Sequence, residues 1–339
     1  MKAVVAVVVL LGCPAAARAS LTEGPRLAAI YDAILAADFS RADAQLRESC
    51  PPAPKEACAT LEVAARWWQI HINPESPLYD QRFTDAAARA IKVNDAWTRR
   101  EPANAEAWFY LAGAYGPLVQ WKVLRGERVS AARDGARIKA ALERALKLDP
   151  TLVDAHFGIG LYHYYADVAP AYAKMLRWLL LLPGGNRELG LREMIEARAD
   201  GELLKGEADY QLHFVYLWYE NRAQDAIALL ESLDARYPTN PLFLQRIAEA
   251  TDTYLHDSRA SAARWRELLD RARAGRVHAS AATEIRARLG VAAMQIELGE
   301  IDSAIEQLQI VIAARPAAPV GARARAESLL RTARARRNF

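Results

Sequence analysis

Residues 285–316 read IRARLGVAAMQIELGEIDSAIEQLQIVIAARP, from Ile285 to Pro316. Val291 and Ala292 belong to a first apolar run, Gly299 to a break, and Ala304, Leu308 and Val311 to a second run that Pro316 closes. Apolar residues at three- and four-residue intervals on both sides of a glycine describe two helices joined by a tight turn. A small alanine lets the helices approach and Leu308 and Val311 fill the groove between them. Proline ends the second helix because it has no N–H to donate and its ring blocks the next turn. Asp302, close behind Gly299-Glu300, is placed to cap that second helix.

The same spacing returns upstream. Ala226, Leu230, Leu233 and Pro238 repeat it, and so do Leu142, Ala145 and Pro150 after the first-helix run Trp108, Leu111 and Tyr115. Weaker copies run from Leu27 to about Pro51, from Cys58 to Glu101, from Asp154 to about Asp200 and from Pro241 to Ala272. A period near 34 residues with a helix-turn-helix in each unit is the mark of a solenoid. On these residues the chain resembles the tetratricopeptide repeat (TPR) family over most of 25–337. The resemblance implies an all-α, right-handed superhelical solenoid of about seven antiparallel helix pairs, closed by a capping helix near 320–337.

Two units depart from the pattern. One carries an expected insertion from Gly116 to Arg133 between its helices. The other carries one from Ala166 to Asn186, with Met175, Leu176, Trp178 and Leu179 in an apolar run that also holds Lys174 and Arg177, followed by Pro183-Gly184-Gly185-Asn186. Insertions in solenoids map to one face, often the binding face. Together with Gly158-Ile159-Gly160-Leu161-Tyr162-His163-Tyr164-Tyr165 and Arg187-Glu188-Leu189-Gly190-Leu191, this stretch resembles two specialised families over about 150–235. One is the T-component of tripartite periplasmic transporters; the other is the TPR family related to inclusion-body clearance. The apolar insert has three readings: packed within the solenoid, lying on a membrane surface, or contacting a partner.

At the N-terminus Lys2, the apolar stretch Ala3–Leu11 and Ala17-Arg18-Ala19 read as a secretory signal over 1–19. Leu10-Leu11-Gly12-Cys13 resembles a lipobox, so acylation of Cys13 is the competing expectation. Export places the protein in the periplasm, or on the membrane as a lipoprotein. Cleavage would remove Lys2 and Arg18 and no acids, lowering the formal charge of +3 by two. In an oxidising compartment Cys50 and Cys58 are expected to form a disulfide across a short, proline-rich loop.

Nothing in the sequence builds a reaction centre. The six histidines form no His-x-x-x-His pair and no Glu-x-x-His unit, there is no Gly-x-Ser-x-Gly elbow, and Pro183-Gly184-Gly185-Asn186 lacks the Lys-Ser/Thr of a phosphate loop. No catalytic residue, metal or cofactor is expected, and carboxylates such as Glu188 and Glu193 are read as solvated. The arginines Arg323, Arg325, Arg331, Arg334, Arg336 and Arg337 read as the polar outside of a capping helix, with contact to anionic lipid or nucleic acid as the lesser reading.

The expected function is that of an exported, non-catalytic scaffold. In TPR proteins the first helix of each pair lines a concave groove. Carried onto this frame, the groove positions fall on Phe109, Phe157, Leu161, Tyr164, Tyr165, Val215, Trp218 and Tyr219. A one-residue shift near residue 210 brings in Tyr210 and Phe214. The partner is an unidentified protein or peptide. The alternative is a small apolar ligand held by an accessory of a periplasmic uptake system.

Overall fold

The structure is a computed structural model and describes residues 21–168, 184–314 and 319–337. The expected signal with Cys13, and the insert residues Met175, Leu176, Trp178 and Leu179, lie outside the described residues. The rest is an all-α solenoid of helix pairs. The first pair is α1 (Gly24–Leu35) and α2 (Phe39–Ser49); the second, α3 (Lys55–Ile72) and α4 (Asp80–Arg100); the third, α5 (Ala105–Leu124) and α6 (Arg128–Leu148). Then follow α7 (Val153–Val168) with α8 (Arg187–Asp200), α9 (Lys205–Trp218) with α10 (Ala223–Arg236), α11 (Pro241–Leu255) with α12 (Ser258–Arg273), and α13 (Ser280–Glu297) with α14 (Ile301–Ala313). Helix α15 (Ala322–Arg337) packs on α13 and α14. Each second helix also packs on the first helix of the next pair, which is how a solenoid shares one continuous core. Among the described residues no helix is long and apolar enough to cross a membrane.

Local chemistry explains the boundaries. The side chains of Asp38, Asn104, Asn186, Asn240 and Asp257 accept from backbone N–H groups at the starts of α2, α5, α8, α11 and α13's preceding neighbour α12, satisfying donors that a helix leaves open. Asp302 does not cap α14: the cap position is Glu300, and Asp302, one residue into the helix, pairs its carboxylate with Arg337 of α15 at 3.2 Å. The alanine and leucine positions of the repeat code behave as packing residues, with Ala226, Leu230, Leu233, Ala304, Leu308 and Val311 all buried.

The expected insertion from Gly116 to Arg133 is not a loop. Helix α5 continues through Pro117 to Leu124, and α6 begins at Arg128. The turn is made at Gly126, where φ is +83° and the amides of Gly126 and Glu127 donate back to Val123 and Lys122. The extra residues therefore lengthen both helices.

Helices α7 and α8 meet at two glycines. A Cβ on Gly160 would lie 2.8 Å from the Gly190 carbonyl oxygen, and one on Gly190 would lie 2.5 Å from that of Gly160. Only hydrogen at both positions allows this backbone contact.

Cys50 and Cys58 are disulfide-bonded, with their Cα atoms 6.4 Å apart, joining the end of α2 to the first turn of α3.

The solenoid also closes on its own first repeat. Leu35 at the end of α1 accepts at its carbonyl from Asn240 Nδ2 (2.7 Å), and Ala36 from Thr239 Oγ1 (2.6 Å), both from the turn between α10 and α11. Phe39 makes an edge contact with His278, centroids 5.0 Å apart, and Arg286 of α13 donates to the Ile72 carbonyl and to Asn73 Oδ1, each at 2.6 Å. One apolar core thus runs from Leu21 to Met294. Trp68, Tyr210 and Phe243 sit at its centre, each at most 1% exposed. Burial of such side chains contributes on the order of 2–3 kcal/mol apiece before conformational entropy is counted.

Candidate binding surface on the inner face

The closure decides where the expected groove residues lie. Phe109 is buried against Tyr110, centroids 5.0 Å apart. Phe157, Tyr164 and Val215 are buried in a cluster shared by α7, α8, α9 and α10, so they hold helices together and offer no groove surface. Tyr164 is fully buried and its hydroxyl donates to the Glu220 carboxylate, which Arg187 grips through Nε (2.8 Å) and Nη2 (2.7 Å). Burial and then the bond to Glu220 push the Tyr164 hydroxyl well above its ordinary range, while Arg187 holds Glu220 low. Leu161 and Tyr165 are half-buried beside that cluster. Tyr219 is exposed and lies edge-on to both Tyr164 and Tyr165. Trp218 is the most open of the set, at 58% exposure.

The inward stripe of α9 instead runs through Tyr210, Phe214 and Trp218, one helical turn apart. Ring centroids are 5.3 Å apart for Tyr210 and Phe214 and 4.6 Å apart for Phe214 and Trp218. At its inner end Tyr210 meets Trp68 (4.9 Å) and His71 (5.4 Å) of α3, and Phe243 (5.9 Å) of α11. His213 packs on both Tyr210 and Phe214. The aromatic wall therefore passes from solvent at Trp218 to a fully buried floor at Tyr210, where three first helices converge.

Polar groups are set into that floor. Glu207 accepts from the Tyr31 hydroxyl (3.0 Å), Trp68 Nε1 (3.3 Å) and Gln211 Nε2 (2.8 Å), so one carboxylate joins α1, α3 and α9. Burial raises its pKa against these three donors. His71 and His213 are held neutral, their pKa values lowered to about 3, chiefly by burial and further by the Arg246 guanidinium. Burial pushes the Tyr210 hydroxyl up to about 12, partly countered by Arg246 beside it. Arg246 of α11 donates from Nη1 to Glu249 at 2.6 Å. Among the described residues His71 Nδ1 and His213 Nε2 are buried without a hydrogen-bond partner, while the buried Tyr210 hydroxyl and Arg246 guanidinium lie against each other. Such atoms are uncommon in folded proteins and each points to a role or a missing partner.

Of the stripe and its floor the sequence suggested Trp218 directly and Tyr210 and Phe214 through the shifted frame. Glu207, His71 and Arg246 carry no motif; what they share is a place on first helices, the elements that face inward. Glu193, expected to be solvated, lies 2.7 Å from His163 Nδ1 and is largely buried.

No family model matches the chain, and none of the curated proteins does. Among solved structures, the crystal structure of yeast Tom70 is similar to it, with 14% identity over 84% of this chain and a TM-score of 0.31. The match covers 64% of the Tom70 chain, so this chain spans less than two thirds of its length. The solenoid is defined here by the order and packing of the chain's own helices.

Proposed function

We propose that this protein is an exported, non-catalytic scaffold of the helical-repeat type, which binds a protein or peptide partner on the aromatic inner face of α9. The observation that carries this reading is the Tyr210–Phe214–Trp218 stripe, open at Trp218 while the surrounding inner face is packed against α1 and α3. An exposed tryptophan packed against a half-buried phenylalanine is the kind of rigid apolar anchor that dominates interface energies. Export is supported by the Lys2–Ala19 sequence pattern and by the bonded Cys50 and Cys58, which suit an oxidising compartment.

The test is affinity purification of the tagged full chain from its own host, with W218S and F214S compared against wild type. Trp218 is exposed, so W218S should keep the wild-type circular dichroism and melting temperature while the amount of co-purifying partner falls at least tenfold. Undiminished recovery with both variants contradicts the assignment of this face.

A further inference from the structure

Three carboxylates gather around Leu21 and Thr22. Glu202, in the link between α8 and α9, accepts from the Leu21 amide at 2.9 Å, and Glu106, in the first turn of α5, accepts from the Thr22 amide (2.7 Å) and hydroxyl (2.9 Å). Asp154, in the first turn of α7, accepts from the amides of Glu202, Leu203 and Leu204, the last at 2.7 Å. The Glu202 carboxylate also lies against Gly24, where a side chain would collide with it. Acids from two distant elements thus clamp the residues leading into α1, and Leu21 is buried within the clamp.

We infer that this acidic clamp receives the α-ammonium of Ser20, set free when the chain is cut after Ala19. The inference rests on the export reading of residues 1–19. Hydrolysis of the Ala19–Ser20 peptide bond consumes one water and leaves a carboxyl group on Ala19 and an amine on Ser20. The proton lost by the new carboxyl group is held by the amine at neutral pH.

Covalent geometry brings that charge to the site. Consecutive backbone nitrogens are at most about 3.7 Å apart, so the Ser20 nitrogen stands within about 7 Å of the Glu202 oxygen that holds Leu21, whatever its torsions. That is inside a Debye length at physiological salt. In the uncut chain the same nitrogen is a neutral amide.

Two observations call for a cation with hydrogens to donate. Among the described residues neither Glu106 nor Asp154 is in an ion pair, and burial pushes both carboxyl groups above their ordinary range, with Glu202 adding to the effect. Glu106 Oε2 and Tyr110 Oη are, moreover, buried without a hydrogen-bond partner. Tyr110 is 1% exposed, and its ionisation is opposed first by burial and then by Glu106, Asp154 and Glu202, so its hydroxyl faces the same three acids. An ammonium brings one positive charge and three N–H donors, and both unpartnered oxygens can accept from it. Among the described residues no three acidic, histidine or cysteine side chains are spaced to hold a metal ion, so the clamp suits an ammonium over a divalent cation.

The experiment uses the protein as its host exports it, with intact mass and the N-terminal peptide fixing the cut. Competitive acetylation at a series of pH values, read on that peptide by mass spectrometry, follows the titration of the α-amine. A cut after Ala19 is expected, with an α-amine that titrates about one pH unit above the roughly 7.7–8.0 of an unperturbed terminus. In urea the same chain should titrate in the ordinary range. E106Q and E202Q keep the shape of the side chain and remove its charge, and each should take back part of the shift.

A cut after Ala19 with an ordinary titration, the same in wild type, E106Q and E202Q, overturns the inference and leaves export standing. A chain cut before an acylated Cys13 also overturns it and keeps export; an uncut chain overturns both. None of these results touches the binding face, which stands or falls on partner recovery with W218S.

Discussion

The Tyr237 hydroxyl donates to Asp32 Oδ1 at 2.6 Å across a sequence separation of 205 residues. This bond ties the fifth helix pair to the first, and Asn240 and Thr239 add two more from the same turn. An open solenoid has neighbour contacts only. Here the first repeat is part of the inner face, and long-range polar bonds hold it there.

Asn240 is the clearest lever on that closure. It is fully buried, donates to the Leu35 carbonyl, and accepts from Leu242 N as the cap of α11. N240A should cost about 2–4 kcal/mol, the sum of a buried carbonyl left unsatisfied and a lost cap. Urea unfolding should show the loss as a lower midpoint with an unchanged slope.

The glycine contact between α7 and α8 admits no side chain. G190A would drive a methyl group into the Gly160 carbonyl and the Tyr164 backbone nitrogen, which would lie 2.5 and 2.6 Å away. Overpacking against backbone costs about 1–3 kcal/mol or more, so the variant should melt several degrees lower while retaining its helical spectrum.

Reducing the Cys50–Cys58 bond should destabilise the protein by about 2 kcal/mol, the loop-closure value for so short a ring. The C50S/C58S double variant should show the same loss and become insensitive to reductant. Equal unfolding midpoints with and without reductant would argue against a stabilising clip.

The buried histidines make stability depend on pH. Folding lowers the pKa values of His71 and His213 from 6.5 to about 3, so below 6.5 the unfolded chain binds protons that the native state does not. Their contribution is complete above pH 6.5 and is lost as pH falls toward 3, at most about 1.4 kcal/mol per pH unit for each residue. Glu207, whose pKa is raised, works in the opposite direction: its protonation favours the native state as pH falls. H71F should therefore flatten the fall in unfolding free energy between pH 7 and pH 5. An unaltered slope would show that His71 is not held neutral.

The helix pairs were legible because their boundaries depend on local chemistry. Small residues at Ala226 and Ala304, apolar partners three to four residues on, and closing prolines have the same meaning wherever they occur. The expected insertion from Gly116 to Arg133 went unrecognised as helix: α5 runs on through Pro117, and the chain turns only at Gly126. The inner face proposed for binding was harder to read. A repeat code states how neighbouring helices pack and leaves open how far the superhelix winds, so nothing near Tyr31, Trp68 or Glu207 announces that they meet. Near residue 210 a shift of one position, about 100° around a helix, separates the packed Val215 from the inward Phe214.

Site-specific photo-cross-linking in the host cell tests the central claim most directly. A benzophenone side chain at position 218 is compared with one at position 310, where Ile310 is exposed on the second helix α14. The account predicts a discrete adduct at 218, diminished by F214S, and none at 310. Adducts of equal yield at both positions, or at 310 alone, would contradict a binding face on the inner side of α9.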